Sequence, residues 1–199
     1  MFKDLIDIWC PSSELLERFG DKILPFAKKH GKEVWFYDAA GKAKTLSPLG
    51  IYRWRFWYAW NQGLTGAGWW TYLYGDYDWK GPNDIGDYWA TVYKSPTANV
   101  TSKRWEITRE GIEDYEILYL LRESIKNARE SGFNGPELRE AEKVLKDVPI
   151  KVQKKLFSTG RRIPLNTDSV PQYTMVTSIL QEARKQIIEN CIRLNSALK

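Results

Sequence analysis

Four carboxylates crowd one short stretch, Arg109-Glu110-Gly111-Ile112-Glu113-Asp114-Tyr115-Glu116. Paired carboxylates serve general acid and base catalysis and glycoside cleavage. Here Glu113, Asp114 and Glu116 stand beside Ile112, Ile117 and Leu118, and residues three apart share one helix face. The pattern reads as helix packing, with the carboxylates paired to Arg104 or Arg109. A second acid, Asp38, closes the run Glu33-Val34-Trp35-Phe36-Tyr37. A carboxylate there, beside Tyr37, can accept hydrogen bonds from ligand hydroxyls, or it can cap the following loop; both readings stand. A third group is Gly66-Ala67-Gly68-Trp69-Trp70-Thr71-Tyr72-Leu73-Tyr74, which runs into Gly75-Asp76-Tyr77-Asp78-Trp79. It reads as a buried strand with aromatics at its exit. Rings stack on the apolar C–H faces of sugars, while sugar hydroxyls need fixed polar partners. Alternation along a strand puts Trp70, Tyr72 and Tyr74 on one face and Trp69 with Thr71 on the other. Tyr72 and Tyr74 are nearest the exit and are the expected contacts, whereas Trp70 fits a core position equally well. Asp76 and Trp79 supply a polar and an aromatic group in the loop, and Trp9 ends an earlier strand in the same way. The expected substrate-binding set is therefore Trp9, Tyr37, Asp38, Trp70, Tyr72, Tyr74, Asp76 and Trp79. No residue is given a catalytic role.

Strand and helix signals alternate to position these groups. Leu5-Ile6-Asp7-Ile8-Trp9 reads as a strand, and Pro11-Ser12-Ser13-Glu14 as a turn and helix cap. A helix over 14–29 carries Leu15, Leu16, Phe19, Ile23 and Phe26 at helical spacing and stops at Gly31. The second strand covers 33–38. An aromatic helix over 49–62 follows it, and Gly63 ends that helix. The third strand spans 66–74. Strand starts near residues 5, 33 and 67 have the spacing of βαβ units, which make parallel strands with right-handed crossovers. A long ordered loop is expected over 75–103, then helices over 105–129, 136–146, 150–157 and 173–198. In the last, Val176, Ile179, Leu180, Ala183, Ile187, Ile188, Cys191 and Leu194 form one face.

Three strands cannot close a barrel, and an eight-stranded (β/α) barrel takes about 250 residues. The expected architecture is α/β: the C-terminal portion of a (β/α)8 barrel, about three βα units, followed by a C-terminal helical extension. The division falls at 1–130 for the partial barrel and 131–199 for the extension packed on it. A small open α/β sheet is the alternative. On the barrel reading, the N-terminal part of the barrel is a missing partner.

The chain has 199 residues, 43% of them hydrophobic, which suffices for a core in one domain or a large piece of one. Ten Trp and eleven Tyr are far above ordinary use, and most should pack inside. The net charge of +5 is spread along helices and mixed with Glu. Lys154-Lys155 and Arg161-Arg162 are short clusters without a recognition motif, so nucleic acid is not an expected partner. Two distant cysteines and a single histidine, His30, offer neither metal-ligand spacing nor a Cys–His nucleophile. No apolar run reaches the roughly 18 residues of a membrane span. No signal peptide or cofactor motif is visible, and no cofactor is expected.

Four stretches in order resemble one family: Glu33-Val34-Trp35-Phe36-Tyr37; the helix with Arg53 and Trp57; Gly66-Ala67-Gly68-Trp69-Trp70-Thr71-Tyr72; and Arg104-Trp105-Glu106-Ile107-Thr108-Arg109-Glu110-Gly111-Ile112-Glu113-Asp114-Tyr115-Glu116. Residues 5–125 are similar to the C-terminal catalytic region of glycoside hydrolase family 123 and its uncharacterised relatives. The resemblance implies a (β/α)8 barrel and N-acetyl-β-galactosaminidase chemistry. In that chemistry the 2-acetamido oxygen of the substrate attacks the anomeric carbon, helped by an adjacent Asp-Glu pair. No such pair follows any of the three strands here, and in the family it comes from an earlier strand. The resemblance thus implies a carbohydrate ligand, no metal, and a chain inactive by itself. Two alternatives remain: a non-catalytic carbohydrate-binding or structural module, and an interaction protein that uses the C-terminal helices.

Overall fold

The computed structural model describes residues 5–38, 50–69, 72–73, 90–157 and 170–199. Over these it is a mixed α/β structure, mostly helical, and the strands do not form a closed barrel. Strand β1 (Ile8–Trp9) leads into helix α1 (Ser13–Lys29), β2 (Glu33–Asp38), α2 (Gly50–Gln62) and β3 (Gly66–Trp69). A hairpin of β4 (Val92–Lys94) and β5 (Asn99–Thr101) precedes α3 (Lys103–Glu130), α4 (Pro136–Phe157) and α5 (Val170–Ala197).

The local signals explain these boundaries. Ser12 caps α1 by accepting the Leu15 amide at 3.2 Å, and Glu14 in the first turn complements the helix dipole. Helices α1 and α2 end alike. The Lys32 amide reaches back to the Ala27 carbonyl at 2.9 Å, and the Leu64 amide to the Ala59 carbonyl at 2.9 Å. Both closures turn on a left-handed residue, Gly31 at φ 62° and Gly63 at φ 68°. Each turn delivers the chain directly into the next strand.

The strands lie in the order β1-β2-β3, all parallel. Trp9 is in register with Val34, and β2 pairs Trp35 with Gly66, Phe36 with Ala67, Tyr37 with Gly68 and Asp38 with Trp69. Successive right-handed crossovers that step in one direction lay their helices on one face of a sheet. Accordingly Val34 and Phe36 are buried, with Phe36 edge-on to Tyr58 of α2 at 5.1 Å. Their neighbour Trp35 points the other way and is 39% exposed. One buried cluster runs from Leu16 in α1 through Trp57, Leu118 and Val144 to Leu194 in α5.

Four elements depart from the sequence reading. Of the strand expected over 66–74, Gly66–Trp69 form β3 and Tyr72 and Leu73 lie outside it, while Trp70, Thr71 and Tyr74 fall outside the described residues. By Tyr72 the chain has turned toward the hairpin, where the Thr91 and Val92 amides both donate to the Tyr72 carbonyl, at 3.2 and 2.9 Å. The expected loop over 75–103 holds the β4–β5 hairpin, closed by Ser95 and Ala98, whose backbone and side-chain bonds run 2.7–3.1 Å. The two helices expected over 136–146 and 150–157 are one, α4, with Pro149 inside it. An interior proline costs a helix roughly 3 kcal/mol. Burial of the continuous stripe Val144, Val148 and Val152 offsets that, and the Pro149 carbonyl accepts from Asn61 Nδ2 at 2.9 Å. Finally, α3 starts at Lys103, capped by Ser102 Oγ, which accepts the Arg104 amide at 3.1 Å and donates to the Thr91 carbonyl at 2.6 Å.

The apolar stripe expected on the last helix is used internally. Val176, Leu180, Ala183, Ile187 and Leu194 are buried in the common cluster, where α5 packs on α3 and α4. Among the described residues no helix is long and apolar enough to cross a membrane.

Candidate functional site

Two places collect the residues singled out above: the outer face of the sheet, and the crossing of α2 with α3. On the outer face Trp35 and Tyr37 alternate with the buried Val34 and Phe36. Each lies beside a glycine of β3. A Cβ on Gly66 would run into the Trp35 ring, and one on Gly68 would stand 3.6 Å from Tyr37 Cδ2. Gly66 lets the Trp35 ring lie close over β3, whereas the space at Gly68 would admit a Cβ in ordinary contact with Tyr37. At the N-terminal end of this surface Glu33 accepts from Trp35 Nε1 at 3.3 Å and from Thr65 Oγ1 at 2.8 Å. Tyr37 lies toward the C-terminal end, half-buried, with its amide bonded to the Pro11 carbonyl at 3.0 Å.

The predicted binding residues divide around this surface. Tyr37 belongs to it. Trp9 shares the register of Val34 and meets Phe26 of α1, with ring centroids 5.6 Å apart, so it lies on the helix-covered face. Its indole nitrogen is buried without a hydrogen-bond partner among the described residues. Asp38 ends β2 opposite Trp69, and its side chain lies outside the described residues. Tyr72 is 47% exposed and edge-on to Trp105 at 5.2 Å, following β3 rather than belonging to it. Trp70, Tyr74, Asp76 and Trp79 lie outside the described residues. Trp69 turns toward α2, where the guanidinium of buried Arg55 stacks 5.3 Å from its ring and 5.0 Å from that of Tyr52.

At the helix crossing, the carboxylate cluster resolves into a buried ion network. Asp114 is fully buried. Its Oδ2 accepts from Arg53 Nε at 2.6 Å and Trp57 Nε1 at 2.8 Å, and its Oδ1 from Arg53 Nη2 at 3.0 Å and Arg184 Nη1 at 3.2 Å. Arg53, 1% exposed, also donates to Glu110 at 2.9 Å, and Arg184 to Glu113 at 2.9 Å. One carboxylate thus ties together α2, α3 and α5. Gly111 makes the geometry possible: a Cβ there would collide with the Phe56 ring and stand 3.0 Å from Arg53 Cα. The two helices touch at this glycine, one turn before Asp114.

No family model matches this chain, and no curated protein matches it significantly. The roles of these residues accordingly rest on geometry. A carboxylate saturated by two guanidiniums and an indole, and closed to solvent, has no access to a substrate proton. Asp114 holds helices together, as the helix-packing reading expected, but its partners are Arg53, Trp57 and Arg184 rather than Arg104 or Arg109. Arg109 pairs with Glu106 at 2.9 Å and, as that reading expected, with Glu113 at 3.8 Å. Arg104 is buried and donates to the Ala90 carbonyl at 3.3 Å. Burial also pushes the Cys10 thiol above its ordinary value, which disfavours the thiolate a nucleophile needs.

Sequence reasoning missed Trp35, Arg53 and Arg184 as the residues that organise these places. A signal existed for two of them. Glycines at alternate positions, Gly66 and Gly68, mark where a neighbouring strand carries large side chains. Arginine inside an otherwise aromatic helix, as in Tyr52-Arg53-Trp54-Arg55-Phe56-Trp57, requires a buried counter-charge elsewhere. Nothing local distinguishes Arg184.

Proposed function

We propose that this chain is the C-terminal portion of a (β/α)8 glycoside-hydrolase-like domain that acts on carbohydrate. In the complete barrel the chemistry is N-acetylhexosaminide hydrolysis by substrate assistance, with the Asp-Glu pair supplied by an earlier strand. One observation carries this reading. Three parallel strands in sequential order have helices packed on one face, while the other bears Trp35 with 39% of its surface exposed. A doubly wound sheet covers both faces with helices; a barrel wall leaves its inner face to the rest of the barrel. Trp35 and Tyr37 are then lumen residues, with Tyr37 nearer the C-terminal ends of the strands, where barrel enzymes bind their substrates.

The family-like motifs support the same reading in a different way. Arg53, Trp57, Gly111 and Asp114, drawn from two separated stretches of the resemblance, converge on one buried network. A motif that keeps α2 against α3 preserves the barrel wall and leaves catalysis to residues elsewhere.

The test is the intact mass of the native gene product, followed by assay of that product with a chromogenic N-acetyl-β-galactosaminide. A product of about 50 kDa or more, extrapolated from barrel size, that releases the chromophore supports the proposal. A product of that size that binds the sugar without turnover supports the non-catalytic binding module instead. A folded 23.2 kDa product that neither binds nor cleaves it overturns both.

A further inference from the structure

Helices α2, α3 and α4 line an open groove of about 610 Å³ whose walls include Trp60, Arg122, Lys126, Arg129, Glu142 and Lys146. Its size falls within the range of small-molecule sites. Trp60 stands near the C-terminal end of α2, where the chain is about to enter the N-terminal end of β3. The groove is therefore remote from the strand ends that the proposed sugar site uses, and the inference does not depend on that site.

The charges in the groove are unbalanced. Four cations meet two carboxylates, Glu130 and Glu142. Arg129 engages Glu142 through Nε at 2.8 Å and Nη2 at 2.7 Å, which neutralises one end. Glu130 comes only within 4.0 Å of Lys126. Among the described residues Lys146 forms no ion pair, and the acid beside Arg122, Glu123 at 3.7 Å, is not part of the groove wall. The excess positive charge thus gathers on Arg122, Lys126 and Lys146. Arg122 and Lys126 are one turn apart on α3, and Lys146 comes from α4.

Arg122 is also held in place. Its guanidinium lies 5.1 Å from the Trp60 ring and 4.7 Å from the Tyr119 ring. A guanidinium oriented by two rings keeps its N–H edge available for two oxygens of one anion and loses little freedom on binding. We infer that this groove binds a small-molecule ester of phosphate or sulfate. The oxyanion sits among Arg122, Lys126 and Lys146.

The test is calorimetric titration of the native gene product at low ionic strength with glucose 6-phosphate, galactose 6-sulfate, the two neutral parent sugars and inorganic phosphate. Saturable binding of an ester, with the parent sugars at least about tenfold weaker, is the expected result; the tighter ester identifies the source of the anion. Lys126→Gln and Lys146→Gln each weaken binding by up to about fivefold, the range of exposed ion pairs. Arg122→Gln together with both weakens it by more than about tenfold, and added salt weakens the parent protein. Both lysines are solvent-exposed, so the lysine pair carries the test if removing Arg122 impairs folding. The inference fails if neither ester binds, if the neutral sugars bind as tightly, or if the folded lysine double variant binds like the parent. Inorganic phosphate binding as tightly as both esters overturns the assignment of an ester.

Discussion

Asp114→Asn is the perturbation that most directly examines the helix crossing. Asparagine matches the volume of aspartate, so no cavity opens. It removes the charge, however, and turns an amide donor toward a site where Arg53, Trp57 and Arg184 all donate. Arg53 is 1% exposed and cannot recover water, although it keeps Glu110 at 2.9 Å. Breaking a buried pair from one side costs about 3–5 kcal/mol, and the surviving Glu110 contact sets the expectation near the lower end, about 3 kcal/mol. In a chain of this size that lowers Tm by about 6–12 °C. Arg184 is 23% exposed, and without it Asp114 still accepts from Arg53 and Trp57, so Arg184→Gln should cost less than Asp114→Asn. Urea unfolding followed by far-ultraviolet circular dichroism measures both, provided the m-value is unchanged. Replacing both members, as Arg53→Met with Asp114→Leu, should recover part of the loss, because no buried charge is then left without its partner. If Asp114→Asn unfolds within about 0.5 kcal/mol of the parent, or costs no more than Arg184→Gln, the network is not what holds α2 to α3.

Gly111→Ala examines the same crossing by volume. Its Cβ meets Phe56 and the backbone of Arg53, and the backbone contact cannot rotate away. Overpacking of about 1–3 kcal/mol should outweigh the helix-propensity gain of up to about 1 kcal/mol, so urea unfolding should show net destabilisation; a more stable variant would refute the close approach. A pH titration examines Tyr115, whose hydroxyl donates to the Leu64 carbonyl at 3.0 Å and whose phenol is raised, chiefly by burial. A phenol raised in the folded state contributes stability that is full below its unfolded value near 10 and is lost as pH rises through the folded value. Above pH 10 the urea midpoint should therefore fall less steeply in Tyr115→Phe than in the parent. Tyr93, also raised mainly by burial, remains in both and keeps some slope.

The parts of the fold that were legible in the sequence are those governed by short-range chemistry. Ser12 as a cap, Gly31 and Gly63 as helix ends, and the helical spacing on α5 each reflect a backbone need met within a few residues. The strand–helix rhythm follows from them, and with it the parallel order of β1, β2 and β3. Where sequence reasoning failed, a contact from far along the chain outweighed a local preference. Pro149 reads as a helix break, yet burial of Val144, Val148 and Val152 carries α4 through it. Tyr72 and Leu73 read as continuing strand, yet the amides of Thr91 and Val92 draw the Tyr72 carbonyl into the hairpin.

The candidate sites divide along the same line. By itself the sequence determined that Asp114 belongs to a packed helix and that Tyr37 stands toward the C-terminal end of a strand, because both follow from periodicity. Only the tertiary structure decided which arginines neutralise Asp114, since Arg53 and Arg184 lie 61 and 70 residues away from it. It alone placed Trp9 under α1 and Trp35 on the uncovered face, because a side chain's face depends on strand register and on which side the crossover helices pack. Register and helix placement are set by the burial of Val34 and Phe36 against α1 and α2, a choice made by the whole core at once rather than by any one segment.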